Sequence, residues 1–368
     1  MKNNRTFLEK LLDGAEVEWK PLDEVANIAN NARKPVKSSL RISGNIPYYG
    51  ANNIQDYVEG YTHDGEFVLI AEDGSASLEN YSIQWAVGKF WANNHVHVVN
   101  GKEKLNNRFL YHYLTNMNFI PFLAGKERAK LTKAKLQQIP IPIPPLSVQT
   151  EIVKILDALT ALTSELTSEL ILRQKQYEYY REKLLSFDSL EQLNSGGGKK
   201  KLIDVAKIKN GKDWKHLEEG NIPIYGSGGI MGYVDTYSYD KPTVLIPRKG
   251  TITNIFYLEE PFWNVDTIYY TEIDTTQILP KYFYHFMKTV DLTKLDTGSG
   301  RPSLTQAILN EIPIFVPSIE EQQRIVSILD KFETLTNSIT EGLPLAIEQS
   351  QKRYEYYREL LLNFPGRE

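Results

Sequence analysis

Residues 176–187 read QYEYYREKLLSF, and residues 353–364 read RYEYYRELLLNF. Nine of the twelve positions are identical, which marks an internal repeat. A repeat of this period decides the architecture before any single element does. Upstream, IPIPIPPLSVQTEIVKILD (139–157) matches IPIFVPSIEEQQRIVSILD (312–330) at an offset of 173, against 177 for the first pair. The second copy therefore holds four extra residues in between, where Gly342 and Pro344 sit. Working outward, NIPYYGANNIQDYV (45–58) matches NIPIYGSGGIMGYV (221–234), and VLIAEDGS (68–75) matches VLIPRKGT (244–251). FWANNHV (90–96) matches FWNVDTI (262–268), and GKERAKLTKAKLQQIP (125–140) matches GSGRPSLTQAILNEIP (298–313). The chain is a tandem duplication of a unit of about 175 residues, each a mixed part followed by a helical part.

In the helical part of copy one, Val148, Ile152, Ile155, Leu159, Leu162 and Leu166 recur at alternating steps of four and three, the spacing of a coiled-coil seam. Tyr177, Tyr180, Leu184 and Phe187 resume it. Pro144 and Pro145 end the preceding strand, and Ser147 suits an N-cap, so a helix is predicted over 147–187. Copy two repeats the seam at Ile325, Ile328, Phe332, Leu335 and Ile339, and Gly342 with Pro344 predicts a kink before the pattern continues to Phe364. Short apolar runs such as FVLIA (67–71), HVHVV (95–99) and TVLIP (243–247) read as strands between turns. The pattern predicts an α+β chain: mixed α/β domains at 1–146 and 188–317, the second opening on a flexible linker (188–201), with helices at 147–187 and 318–368. If the two seams bury each other the helices run antiparallel, and the repeat implies a pseudo-two-fold axis.

The net charge of −4 argues against nucleic acid until it is resolved by segment. The helical segments carry −1 and −3, the whole deficit, and the globular parts sum to zero. Within those parts basic residues cluster: Arg33, Lys34, Lys37 and Arg41; then Lys126, Arg128, Lys130, Lys133 and Lys135; then Lys199 to Lys201 with Lys207, Lys209, Lys212 and Lys215. Basic patches on a neutral body suit local contact with phosphates, and equally a solvated surface.

No cysteine is present, which excludes disulfides, thiolate metal sites and cysteine nucleophiles. There is no phosphate-cradling GxxxxGK[ST] and no HExxH, and GSGGIMG (226–232) lacks GxGxxG spacing, so it reads as a turn. His95 and His97 fall on one face of an apparent strand with no third ligand, so they read as packed or base-contacting rather than metal-binding. Glu18-Trp19-Lys20 fits a nuclease ExK fragment, but no Pro-Asp precedes it. No apolar run is long enough to span a membrane, and the N-terminal segment is too acidic for a signal peptide, so a cytoplasmic protein is expected.

Two variable globular parts alternating with two near-identical helices, the Gln149–Asp157 and Gln322–Asp330 segments and the two YEYYRE motifs carry a resemblance. Over essentially the whole length the chain resembles the specificity subunit of a Type I restriction–modification system. The resemblance implies a non-catalytic DNA reader whose two globular parts are target recognition domains, each for one half of a bipartite double-stranded DNA site. It implies helices that act as spacer and as docking surface for two methyltransferase (modification) subunits, with restriction subunits in the full complex. The chain itself would hold no cofactor or metal; S-adenosylmethionine would come with the modification subunits, and ATP and Mg²⁺ with the restriction subunits. Rival readings are the specificity subunit of a stand-alone or Type II-like methyltransferase or nuclease, an enzyme with an unrecognised site, and a helical scaffold that binds only proteins.

Basic and amide side chains in loops between strand signals are then the candidates for DNA contact. Copy one offers Arg33, Lys34, Tyr49, Asn52, Asn53, Asn93, Asn94, His95 and Arg128. Copy two offers Lys212, Lys215, Ser227, Arg248, Lys249, Thr251 and Arg301. Arginine suits guanine and asparagine suits adenine in the major groove, while lysine more often holds phosphate. For the helix seam and partner docking the candidates are Ile152, Leu156, Leu159, Tyr177 and Tyr180, with Ile325, Leu329, Phe332, Tyr354 and Tyr357.

Overall fold

The computed structural model describes residues 7–125, 129–192, 197–298 and 300–365. It divides into two compact units, one formed by residues 1–166 with 347–368, the other by the continuous stretch 167–346. In chain order the elements up to the long helix are α1 (Phe7–Leu12), β1 (Glu18–Pro21), α2 (Leu22–Val25), β2 (Ala26–Ile28), β3 (Ser43–Tyr49), β4 (Ile54–Val58), β5 (His63–Ala71), β6 (Ile83–Ala92), β7 (Val96–Gly101), α3 (Asn107–Thr115), α4 (Lys133–Gln137), β8 (Pro140–Ile143) and α5 (Leu146–Leu185). The rest are α6 (Phe187–Gln192), β9 (Gly198–Lys201), α7 (Leu202–Val205), β10 (Ala206–Lys209), β11 (Ile222–Gly226), β12 (Gly229–Val234), β13 (Thr243–Pro247), β14 (Phe256–Leu258), β15 (Trp263–Asn264), β16 (Ile268–Ile273), α8 (Pro280–Met287), α9 (Gln306–Asn310), β17 (Pro313–Val316), α10 (Ile319–Asn337) and α11 (Gly342–Leu362).

Unit 1 is built on one six-stranded sheet, ordered β2-β7-β5-β6-β3-β4. Unit 2 repeats that order, but as a four-stranded sheet, β10-β16-β13-β14, and a three-stranded one, β12-β11-β15. The difference lies in one strand. The ten-residue β6 serves both halves of the unit 1 sheet, and its equivalent is broken into β14 and β15 across Glu259-Glu260-Pro261. Proline has no N–H to donate to a ladder, which disfavours carrying one unbroken strand through this position. The register confirms the equivalence: Tyr48 pairs with Trp91 in parallel, as Ile224 does with Trp263.

The helices depart from the predicted seam in instructive ways. Helix α5 opens one residue early at Leu146, and the Pro145 carbonyl accepts from the Val148 and Gln149 amides, so Ser147 lies inside the helix rather than capping it. Val148, Ile152 and Leu156 are buried in the unit 1 core beside Leu361, Leu362 and Phe364 of the C-terminal segment. Further along, Leu159 is half-buried and Leu162 exposed, and the contact with α11 becomes polar, Thr163 Oγ1 to Ser350 Oγ at 2.8 Å. The two helices therefore run antiparallel in this unit. In unit 2 the rings of Tyr177 and Tyr180 stack on Phe332, and Phe187 meets Phe315, again antiparallel. Ile325 and Leu329 are buried there.

The predicted seam position Ile339 is 79% exposed, because α10 has already ended at Asn337. The predicted kink is a full break. The Ser338 hydroxyl accepts from the Thr340 and Glu341 amides. Gly342 restarts the helix at φ +83°, where a Cβ would lie 2.6 Å from the Thr334 carbonyl, so only glycine fits. The stretch read as a linker is structured at both ends, as α6 and as β9 paired with β17; residues 193–196 lie outside the described ones.

Candidate nucleic-acid interface

In unit 1 the candidate loops meet at one end of the sheet. The turn between β3 and β4 is tied to the loop after β5 through Asn52, whose Nδ2 donates to the Gly74 carbonyl while its Oδ1 accepts from the Ala76 amide. His95, in the turn before β7 rather than on the strand, is exposed and bonds Asp73 through Nδ1 at 2.5 Å. Arg33 reaches the same loops: its guanidinium donates to Glu72 at 2.7 Å and to the Val96 carbonyl at 2.7 Å. Lys130 holds the other Glu72 oxygen at 2.8 Å. Those two cations outweigh the burial of Glu72 and hold its carboxyl below the usual range. His97, fully buried, accepts from Asn30 Nδ2 and donates to the Leu131 carbonyl, a structural role distinct from that of His95.

Several candidates are thus spent internally. Arg33 is engaged by Glu72 and backbone carbonyls, and Asn93 is buried, its Oδ1 accepting from the His95 amide. Tyr49 packs edge-on against Phe90, and burial pushes its hydroxyl pKa up. Lys34, Asn53 and Asn94 present exposed side chains. Arg128 lies outside the described residues.

Unit 2 gathers its loops at the corresponding end with a different charge balance. Asn254 donates to the Ser227 carbonyl, the Gly250 amide to Pro302, and the Leu304 amide to Arg248. The Arg248 and Lys249 amides both donate to the Thr267 carbonyl. This brings Ser227, Arg248, Lys249, Thr251 and Arg301 onto one surface. Arg248 is half-buried, with Nη1 donating to the Asp266 carbonyl, while Lys249, Thr251 and Arg301 are exposed. Among the described residues no carboxylate pairs with Arg248, Lys249 or Arg301, in contrast to the Glu72 and Asp73 pairs of unit 1. Lys212 and Lys215 are exposed on the preceding loop, which is fixed by the Lys212 amide on Asn264 and by Trp263 Nε1 on the Lys212 carbonyl.

Sequence reasoning missed a pair of clamps that hold each long helix to its globular part. Gln149 is fully buried and makes three bonds: Oε1 accepts from the Asn106 amide, and Nε2 donates to the Lys104 and Pro144 carbonyls. Gln322 repeats all three, with the Leu279 amide and the Gln277 and Pro317 carbonyls. One heptad and a residue further on, Asp157 accepts from Arg108 and from His112 Nε2 at 2.8 Å. Asp330 accepts from Lys281 at 2.8 Å and from His285 Nε2 at 2.9 Å. Burial is the larger influence on both histidines and holds them below their ordinary pKa. The signal was available: Tyr-His at 111–112 and 284–285 recurs at the same offset of 173 as the Gln and Asp positions.

Of the docking candidates, Tyr177 is buried, and Tyr180 is 40% exposed despite stacking on Phe332. Tyr354 and Tyr357 pack on the unit 1 core, Tyr357 edge-on to Phe7. The outward tyrosines of the two YEYYRE segments are Tyr179 and Tyr356, 56% and 61% exposed. No helix among the described residues is long and apolar enough to cross a membrane.

Comparison with known proteins bears on this arrangement. The chain is 67% identical to a Haemophilus influenzae protein described as a type I restriction enzyme specificity subunit, covering 99% of this chain and all of that one. It is 33% identical to the EcoR124I/EcoR124II specificity subunit of Escherichia coli, covering 98% and 97%. In fold it is similar to the crystal structure of a Type I restriction–modification S subunit from M. genitalium, at a TM-score of 0.64 and 20% identity over 100% and 99% of the two chains. The family model for the Type I restriction modification DNA specificity domain matches twice, at residues 15–173 and 194–349, one match for each copy of the repeat. With two such matches and relatives aligned end to end, the chain belongs to the family of Type I restriction–modification specificity subunits.

Proposed function

We propose that this chain is a non-catalytic specificity subunit that reads a bipartite double-stranded DNA site, one half with each globular part, and docks two methyltransferase subunits on its helices. The observation that carries this reading is the contrast within the repeat. The Gln149 and Gln322 clamps are duplicated bond for bond, and the Asp157 and Asp330 clamps keep their histidine while exchanging Arg108 for Lys281; the loop ends they support carry different side chains. Two closely matched mounts holding different reading surfaces suit two half-sites of unlike sequence. Identical helix motifs suit two copies of one partner, with Tyr179 and Tyr356 as equivalent exposed contacts. S-adenosylmethionine, ATP and Mg²⁺ then act on the partner subunits. Sequencing of methylated bases in cells carrying this chain with its methyltransferase should return one bipartite motif. Motifs of only one half, or modification that persists without this chain, would overturn the reading.

A further inference from the structure

One departure from regular strand pairing occurs twice, at the same place in each copy of the repeat. In unit 1, Tyr49 pairs with Ile54 and Tyr48 with Asp56, so Gln55 is an extra residue in β4 with no partner on β3. In unit 2, Tyr225 pairs with Ile230 and Ile224 with Gly232, so Met231 is the extra residue in β12. A β-bulge of this kind re-aims one side chain, and bulges concentrate beside functional sites. Both side chains are turned the same way, back over the glycine that opens the turn. A Cβ on Gly50 would overlap the Gln55 amide, and one on Gly226 would lie 2.5 Å from Met231 Sδ. The frame around the bulge is identical in the two copies, Gly50/Gly226, Ile54/Ile230, Tyr57/Tyr233 and Val58/Val234, while the bulged residue changes from an amide to a thioether.

Neither side chain is spent on the fold. Met231 is 57% exposed although it is apolar, and Gln55 is exposed, with no hydrogen bond from its amide among the described residues. Both stand beside the loop ends described above. The Gln55 bulge adjoins the turn that Asn52 ties to the loop after β5. The neighbouring acid, Asp56, is paired with Arg41 at 3.5 Å. Met231 shares its glycine with Thr267, whose Oγ1 lies 3.4 Å from the same Cβ position and whose carbonyl accepts from the Arg248 and Lys249 amides. An amide that both donates and accepts matches N6 and N7 of adenine in the major groove, and an apolar tip matches the methyl group of thymine.

We propose that the two bulged residues each read one base pair in the major groove, Gln55 an adenine in the half-site of unit 1 and Met231 the methyl group of a thymine in that of unit 2. The proposal rests on the reading of DNA by the loop ends and adds which residue sets one position in each half. The bulge fixes where the tip of the side chain stands, and the residue placed there sets which base it accepts.

The test uses the full-length chain with its methyltransferase subunits and duplexes of the methylome-derived target. 7-Deazaadenine replaces each adenine in turn, removing N7, and uracil replaces each thymine, removing the methyl group. At one position of one half-site 7-deazaadenine should weaken wild-type binding about fivefold, the worth of a hydrogen bond, and Gln55→Met should be insensitive there. At one position of the other half-site uracil should weaken wild-type binding about fourfold, the worth of a buried methyl group, and Met231→Gln should be insensitive there. These exchanges use side chains that the two bulges already hold, so melting temperatures should be unchanged; Gln55→Ala and Met231→Ala carry the same test should an exchange fail to fold. Variants that keep every wild-type sensitivity, in a complex that still selects its bipartite target, would overturn the assignment and leave the DNA reading standing, as would a variant that alters both half-sites together. A wild-type complex without sequence preference would overturn the DNA reading and this assignment with it.

Discussion

Arg33 and Arg301 satisfy one sequence criterion, a basic side chain in a loop between strands, and the fold gives them opposite settings. Arg33 is paired with the half-buried Glu72, thirty-nine residues away in sequence, whereas Arg301 is exposed and free of carboxylates among the described residues. Arg33→Ala should therefore act through stability. It leaves Glu72 short of a charged donor, a loss of at least about 1–3 kcal/mol, read as a lower melting temperature. Arg301→Ala should leave the melting temperature unchanged and weaken DNA binding by roughly 1–3 kcal/mol if it reads a base. Competition among half-site libraries should show relaxed preference in one half only; relaxation in both would count against separate readers. The sequence could nominate both residues but could not separate them. Which carboxylate meets which cation is decided by β5 and β7 lying side by side, and no local pattern encodes that pairing.

At the scale of elements, the repeat, the strands and the antiparallel helices were legible because each rests on periodicity. The seam was legible only near its ends. Heptad spacing nominates Leu159 and Ile339, yet burial follows what the globular parts supply to pack against, and in mid-helix that supply ends. The clamps were illegible because buried polar residues carry no periodic signal. They make two predictions. Gln149→Ala leaves the Asn106 amide and the Lys104 and Pro144 carbonyls without their shared partner, and should cost on the order of 1–3 kcal/mol for each group left buried and unpaired. Hydrogen exchange at the start of α5 should speed up, and unchanged protection would refute the clamp. The second concerns pH. Burial lowers the pKa of His63, His97, His112 and His285 below the ordinary value of 6.5. The unfolded chain then binds more protons than the folded one below that value, so stability is full above about pH 6.5 and falls as the pH drops through it. Melting temperatures that stay flat between pH 7.5 and 5.5 would contradict these environments.

At the scale of the whole molecule, α5 is one unbroken helix whose two ends belong to different units. Four residues inserted after Thr167 lengthen it by about 6 Å and turn it by a net rotation of about 40°, a modest change for the seam. The duplex rises about 3.4 Å per base pair, so the half-sites should move apart by one or two base pairs with their sequences unchanged. Methylome sequencing of cells carrying the insertion reports both quantities. A functional insertion that keeps the original spacing would exclude a ruler, and altered half-sites would mean that the helices help to read bases.

Unit 1 is closed by residues 361–365, far along the chain from the rest of its core. Leu361, Leu362 and Phe364 are buried against Phe109, Val148 and Ile152, and Trp19 Nε1 donates to the Pro365 carbonyl. Unit 2 is a single uninterrupted stretch. A ribosome makes the chain from the N-terminus, so the order of completion is inverted. Residues 167–346 have everything they need once they emerge, while the first-made domain waits, its apolar groove open, until residues 361–365 have been made. Each of the three missing side chains withholds roughly 1.5–3 kcal/mol of burial until then. The nascent protein therefore passes through a period in which its older half is the unfinished one, and a chain cut short before Leu361 would keep the second domain and strand the first.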